Sequence, residues 1–205
     1  IMGQVLMAGQ GQVPSRQAAV KAGIPMSVPS INVNKVCLSG LNSIYLANQM
    51  IMSGEADIVV AGGMESMTNA PYLAQGARGG FRYGNTELQD AIVRDGLWCA
   101  FDACLMGLGT ERYAAGGITR DQQDDMAMKS NVRAAAAIAE GRFTDEIVPV
   151  SIPQRKGDPK VVSTDEGVRA DTTMESLAGL KPAFDKEGTI TAANASQISD
   201  GGSAV

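Results

Sequence analysis

Apolar and polar positions along this chain trace a strand, a helix and a second strand within about thirty residues. Residues 30–36 alternate Ile31 and Val33 with Asn32 and Asn34, a period of two that predicts a strand. From Leu38 to about Ser53, Leu41, Ile44, Tyr45, Leu46, Ala47, Met50 and Ile51 lie nearly all round a helical wheel. That pattern predicts a buried helix rather than an amphipathic surface one, closed by Gly54. Residues 56–63, ADIVVAGG, form a short unbroken apolar run with β-branched side chains. They predict a strand covered on both faces of a sheet, which completes a βαβ unit. Upstream, residues 18–24 read as a helix end terminated at Gly23, and Pro25 and Pro29 mark the loop that follows.

The texture changes after Thr68. Glycine, proline and polar residues break the pattern at GARGGFRYGN and PQRKGDPKVV. One helix stands out, with Thr119 as N-cap and Gln122 three residues on, a capping box. It runs to Gly141, and DEIVPVSI beyond it reads as a strand. After NASQISDGG the chain turns back into a core strand. The expected organisation is a core portion over 1–68, an inserted loop-rich α+β subdomain over 69–192, and a return to the core over 193–205. There are no internal repeats. Both ends read as cut, since the chain opens without methionine on an apolar run and stops as another begins.

Composition narrows the function. The 205 residues are 44% hydrophobic and 19% charged, with a formal net charge of -5. An acidic balance argues against nucleic-acid binding, which wants a basic face. A few local arginines and lysines still suit a small polyanionic ligand. No apolar run reaches the ~18 residues of a membrane helix, and the start lacks the pattern of a signal peptide. Three cysteines without a secretory signal indicate a reduced, cytoplasmic protein. The 24 glycines indicate close backbone packing.

Cys37 lies where the first strand gives way to the helix. A thiol attacks as thiolate, and unpaired N–H groups at a helix N-terminus favour that anion. The small residues Ser39 and Gly40 leave room for a substrate, and the same N–H groups suit a thioester carbonyl. Free cysteine is also among the most buried residue types. Local context therefore leaves both a nucleophile and a core residue open. The usual activating base is missing, because the chain contains no histidine.

The string VNKVCLSGLNSI followed by GEADIVVAGGMESM resembles the active-site segment of the thiolases, the acetyl-CoA acetyltransferase family. PSRQAAVKAGIP before it resembles the same family in order and spacing, as do GRFTDEIVPV and LKPAFDKEGTITAANASQISDGGSA after it. The resemblance implies a thiolase-like layered α/β fold, here the first half of a duplicated βαβ core with a loop domain inserted. It implies that Cys37 is the acylated nucleophile and that its backbone N–H helps form an oxyanion hole. Arg169 matches a position beside the nucleotide end of coenzyme A. Ser176, Ala183, Phe184, Ala192 and Ser196 match positions touching the adenine or the pantetheine arm, and Leu97 and Met106 match apolar contacts. Read alone, Arg169 is a loop charge, Ser196 a turn residue and Phe184 core. Cys99 and Cys104 match no catalytic motif and read as small packing residues. Glu65 and Asn69 read as hydrogen-bonding residues at the core edge, and Arg155 and Lys156 as a solvated turn.

The sequence departs from the family in two ways. CLMGLGTE places Leu105 where many acetoacetyl-CoA thiolases have histidine. The motifs that carry the activating histidine (GHP), the water-orienting asparagine (NEAF) and the second cysteine (CxGxG) are all absent. By resemblance they belong to the second half of the fold. The implied reaction condenses two acetyl-CoA, or thiolyses a 3-ketoacyl-CoA, through an acyl-cysteine intermediate. It needs acyl-CoA and CoA, with no metal or redox cofactor, in a homodimer or homotetramer whose tetramer loop matches APYLAQGARGGFRYGN. Two other readings remain open. One is a truncated, non-catalytic thiolase-like protein that binds coenzyme A or pairs with a subunit. The other is a ketoacyl-carrier-protein synthase, which the KPAFDKEG string of the loop region disfavours.

Overall fold

The computed structural model describes all 205 residues, Ile1–Val205. They form two compact units: Ile1–Met106 together with Ile198–Val205, and Gly107–Gln197. These boundaries differ from those read off the change of texture, because residues 69–106 group with the first unit.

The first unit is built on a four-stranded sheet. Strand β1 (Met2–Gly3) leads through helix α1 (Pro14–Lys21) to β2 (Asn32–Val33). Helix α2 (Ser39–Met52) then carries the chain to β3 (Gly62–Ser66). β1 is central and pairs in parallel with β2 and β3, with Met2 opposite both Asn32 and Gly62. The last strand, Asp200–Ala204, runs antiparallel along β3 with Gly202 opposite Met64, as the expected return to the core requires. Between these lie β4 (Tyr72–Leu73), β5 (Gln89–Asp90) and a π-helical turn at Ile92–Leu97. A hairpin of β6 (Trp98–Cys99) and β7 (Cys104–Leu105) follows.

Local chemistry accounts for the ends of α1. Pro14 stands in its first turn, and Gly23 at φ 84° allows the Ile24 N–H to reach the Ala19 carbonyl at 3.0 Å. Two expectations for this unit need correction. Within residues 1–205, helix α2 is covered on one side only: Ser39, Ser43 and Ala47 are enclosed, while Leu41, Tyr45 and Met52 are 64%, 58% and 76% exposed. The side that meets the sheet is a stripe of small residues, so the large ones project the other way. The strand in ADIVVAGG also begins late, at Gly62, and Ile58 is 87% exposed. The Ile1 amino group donates to the Val60 carbonyl at 2.7 Å, just ahead of the ladder.

The second unit holds most of helix α3 (Met106–Ala114), then α4 (Arg120–Ala139), the hairpin β8 (Val150–Ile152) with β9 (Lys160–Val162), and α5 (Met174–Ala178). The strand expected from DEIVPVSI is shorter than its apolar run, and Ser151 pairs with Val161. The Thr119/Gln122 capping box is present, and α4 closes at Gly141 with φ 69°. A second capping box, Thr173 with Ser176, starts α5. Buried polar groups hold the unit together. Asp124 accepts from Arg120 Nε at 2.6 Å and from Asn194 Nδ2 at 2.8 Å, and Arg120 also donates to the Leu177 carbonyl. Glu111 accepts the N–H groups of Thr189 and Ile190 at 2.9 and 2.7 Å. The final strand of the chain, Asp200–Ala204, is β10.

Candidate active site

The Cys37 site rests on how closely α2 approaches its sheet. A Cβ at Gly3 would collide with the Ser39 carbonyl and the Gly40 nitrogen, and one at Gly63 would lie 3.3 Å from the Gly40 Cα. Glycine at these positions lets backbone meet backbone. Ser43, fully buried, has its Oγ 2.6 Å from both the Gly40 and Gly62 carbonyls and shares its proton between helix and strand.

The turn before α2 is held in an unusual conformation. Val36 has φ 51°, a left-handed value that is costly for a β-branched residue. Three hydrogen bonds support it. Asn34 Oδ1 accepts the Val36 N–H at 2.9 Å, Ser39 Oγ accepts the Lys35 N–H at 2.8 Å, and Ser39 Oγ donates to the Val36 carbonyl at 2.6 Å. The Leu38 and Ser39 N–H groups bond back to the carbonyls of Lys35 and Val36. Leu38 is thus the N-cap, and Cys37 sits one residue ahead of it rather than on the first helical turn as expected. The first intrahelical bond runs from the Asn42 N–H to the Leu38 carbonyl, which leaves the Gly40 and Leu41 amides ahead of it at the helix mouth.

This turn presents Cys37 as an exposed free thiol. It lines an open cleft of about 420 Å³ with Gly3, Val36, Gly40, Glu65 and the start of β10. The Glu65 carboxylate accepts the Val5 and Leu6 N–H groups at 2.8 and 3.0 Å, which fixes the chain leaving β1. Asn69 donates to Ser66 Oγ at 2.8 Å, so both residues have hydrogen-bonding roles. Asp200 accepts the Thr68 N–H at 2.9 Å, and that bond holds its carboxyl below the usual aspartate range. Ser39 and Asn34 are positioning residues that the sequence reading missed. Ser39 passed there as a small neighbour, although its hydroxyl is buried and tied to the turn. The readable signal was the asparagine two residues before Val36, an Asx-turn pattern.

The remaining candidates fall into two groups. Leu97 and Met106 belong to the first unit, at the base of the β6–β7 hairpin, and neither lines the Cys37 cleft. Arg169, Ser176, Ala183, Phe184, Ala192 and Ser196 all belong to the second unit and are exposed. The Arg169 N–H bonds Asn131 Oδ1 of α4 at 2.8 Å, while its guanidinium joins none of the four ion pairs. Gln197 donates to the Gly167 carbonyl at 2.8 Å, which ties the chain next to Ser196 to the loop of Arg169. The Ala183 N–H bonds the Ile190 carbonyl at 2.8 Å and sets residues 183 and 184 beside the segment leading to Ala192. The Phe184 ring lies against Gly107, where a Cβ would collide with it. Ser176 Oγ is engaged in its own cap, donating to the Thr173 carbonyl at 2.8 Å.

A sequence profile of the thiolase N-terminal domain matches residues 1–205, the full chain. A probable acetyl-CoA acetyltransferase of Mycolicibacterium smegmatis is 57% identical over 206 residues, covering all of this chain and 53% of that protein. The acetyl-CoA acetyltransferase of Cupriavidus necator is 55% identical over 206 residues, again all of this chain and 52% of its own length. The crystal structure of the Bacillus anthracis acetyl-CoA acetyltransferase superposes with a TM-score of 0.93 at 39% identity, over 99% of this chain and 51% of that one. This chain spans about half the length of the curated relatives it matches. Its sequence and fold place it in the thiolase family, as the N-terminal domain.

Proposed function

We propose that this chain carries the nucleophile of an acyltransferase that works on coenzyme A thioesters. The observation that supports it best is Cys37 itself, an exposed thiol presented by a strained turn at the mouth of α2. In this reading the Cys37 thiolate attacks an acyl-CoA carbonyl, the C–S bond to coenzyme A breaks, and an acyl-cysteine remains. A second acetyl-CoA, deprotonated at its α-carbon, attacks that acyl group and yields a 3-ketoacyl-CoA. Thiolysis is the reverse. The backbone N–H of Cys37 and the amides at the helix mouth stabilise the oxyanion. Arg169 lies beside the nucleotide end of the coenzyme, while Ser176, Ala183, Phe184, Ala192 and Ser196 take its adenine and pantetheine parts. Leu97 and Met106 give apolar contact. The base that activates Cys37 and the group that takes the α-proton come from the other half of the relatives' length, since these residues include no histidine. The working assembly is a homodimer or homotetramer. No helix is long and apolar enough to cross a membrane.

The test is to incubate the full-length protein with acetyl-CoA, digest it and map the adduct by mass. The expected result is one acetyl group on Cys37, lost in Cys37→Ser. An acetyl group on Cys99 or Cys104 with Cys37 unmodified overturns the assignment. Coenzyme A binding with no acyl transfer to any cysteine supports instead a non-catalytic coenzyme-binding protein.

A further inference from the structure

Cys99 and Cys104 lie directly opposite one another across the β6–β7 ribbon, and both are free thiols. Opposed side chains of an antiparallel pair leave the ribbon on the same face. Their Cα atoms stand about 4.5–5.5 Å apart by strand geometry, inside the window of about 4.4–6.8 Å that a disulfide requires. The two thiols differ in access. Cys104 is 5% exposed, whereas Cys99 is only half-buried. Cys99 Sγ accepts the Asp102 N–H at 3.4 Å and lies 3.6 Å from Asp102 Oδ2. Leu97 directly precedes Trp98 and Met106 directly follows Leu105, so the two residues flank the open end of the ribbon.

We propose that peroxide oxidation joins Cys99 to Cys104 in a disulfide that staples the hairpin carrying Leu97 and Met106. Cys99, the more accessible thiol, meets the oxidant first. Its sulfur attacks one peroxide oxygen, the O–O bond breaks, and the departing hydroxide takes the thiol proton as water. Cys99 is then a sulfenic acid. The Cys104 sulfur attacks the Cys99 sulfur, the S–O bond breaks, and hydroxide leaves with the Cys104 proton as a second water. The two thiols together lose two electrons and one peroxide gains them. The bond fixes the ribbon two residues from Leu97 on one strand and two from Met106 on the other, which restrains both flanking residues. The consequence for coenzyme A rests on the reading of those two residues as coenzyme contacts.

The experiment uses full-length protein in a Cys37→Ser background, so that the exposed thiol of the cleft is out of play. The protein is treated with hydrogen peroxide, blocked with N-ethylmaleimide and digested without reductant. The expected product is peptide 95–112 lighter by two hydrogen masses and unalkylated, restored by dithiothreitol. Cys99→Ser abolishes it, and Cys104→Ser leaves a dimedone-reactive sulfenic acid on Cys99. Because Cys104 is buried and its variant risks misfolding, Cys99→Ser at the half-exposed position serves as the second control. Alkylation of both thiols after peroxide, or a sulfinic acid on Cys99 with Cys104 free, overturns the proposal. Calorimetry with coenzyme A on the oxidised and reduced forms should differ by about fivefold or more. A disulfide that forms with affinity unchanged upholds the staple and removes Leu97 and Met106 from the coenzyme site.

Discussion

The two long helices of this chain are anchored by opposite means. Helix α2 presses Ser39, Ser43 and Ala47 against β1 and β3 at helical spacing, and glycine backbones let it come close. Its large side chains face outward and stay exposed. Helix α4 has a full capping box and one buried residue, Asp124, which is locked by Arg120 and Asn194. One helix is held by shape and the other by charge. Shape holds the start of α2 close to β1, because a Cβ at Gly3 would collide with the backbone of Ser39 and Gly40. The charged network anchors α4 through polar groups, and Met126 and Val132 of that helix stay 74% and 46% exposed. Helix α2 therefore carries the larger set of exposed apolar side chains, while the buried Asp124 of α4 is paired within its own unit.

The largest expected effect tests the dependence of the Cys37 unit on residues beyond these. Residues 1–205 expressed alone should cleave acetoacetyl-CoA at least about 10²–10⁴-fold more slowly than full-length protein, the usual contribution of a positioned base. Clear Cys37-dependent turnover by this span would place the base within it and break the comparison. Next in size is the charge-held helix. Asp124→Ala should cost about 3 kcal/mol, the low end for breaking a buried pair, since Arg120 keeps 23% side-chain exposure. Amide hydrogen exchange should speed up in α4 and α5 while β1 and β3 stay protected. Equal loosening of β1 would show that the two anchors are not independent.

Shape should matter in the other unit. Gly3→Ala should cost about 1–3 kcal/mol, as overpacking does, with faster exchange in β1 and the first turn of α2. An unchanged denaturation midpoint would mean that the close approach is soft. The smallest effect sets one carboxylate of each unit side by side. Asp200 is held low by the Thr68 N–H, and Glu175 by its own backbone N–H and then the Thr173 hydroxyl. Depressed carboxyls stabilise the folded state above their unfolded values, and that contribution is lost as pH falls below about 4. Asp200→Asn and Glu175→Gln should each flatten the acid limb of the stability curve slightly. A steeper limb in either variant would contradict the sign.

Much of the framework was legible because it is local. Gly23 and Gly141 stop helices by their own φ, and Thr119 with Gln122 caps α4 through bonds three residues apart. The Thr173/Ser176 box was just as local but went unread, because serine replaces the usual Glu or Gln at its third position. The burial of α2 was misread for a different reason. A helix apolar all round shows that every face wants cover, and it does not say which face this chain supplies.

By itself the sequence determined the order of elements, the helix ends, the family and the residue at the helix mouth, because each is written in neighbouring residues or in motif order. Only the tertiary structure decided how that thiol is presented. The left-handed Val36, the hydroxyl of Ser39 that locks it and the seating of Gly3 on Ser39 join residues that are close in space. The same holds for the carboxylate of Glu65 on the chain after β1, and for Cys99 opposite Cys104. Composition sets which side chains are available, but register and close approach arise from non-local pairing of strands. A shift of one residue in the β6–β7 pairing, for example, would take Cys99 away from Cys104.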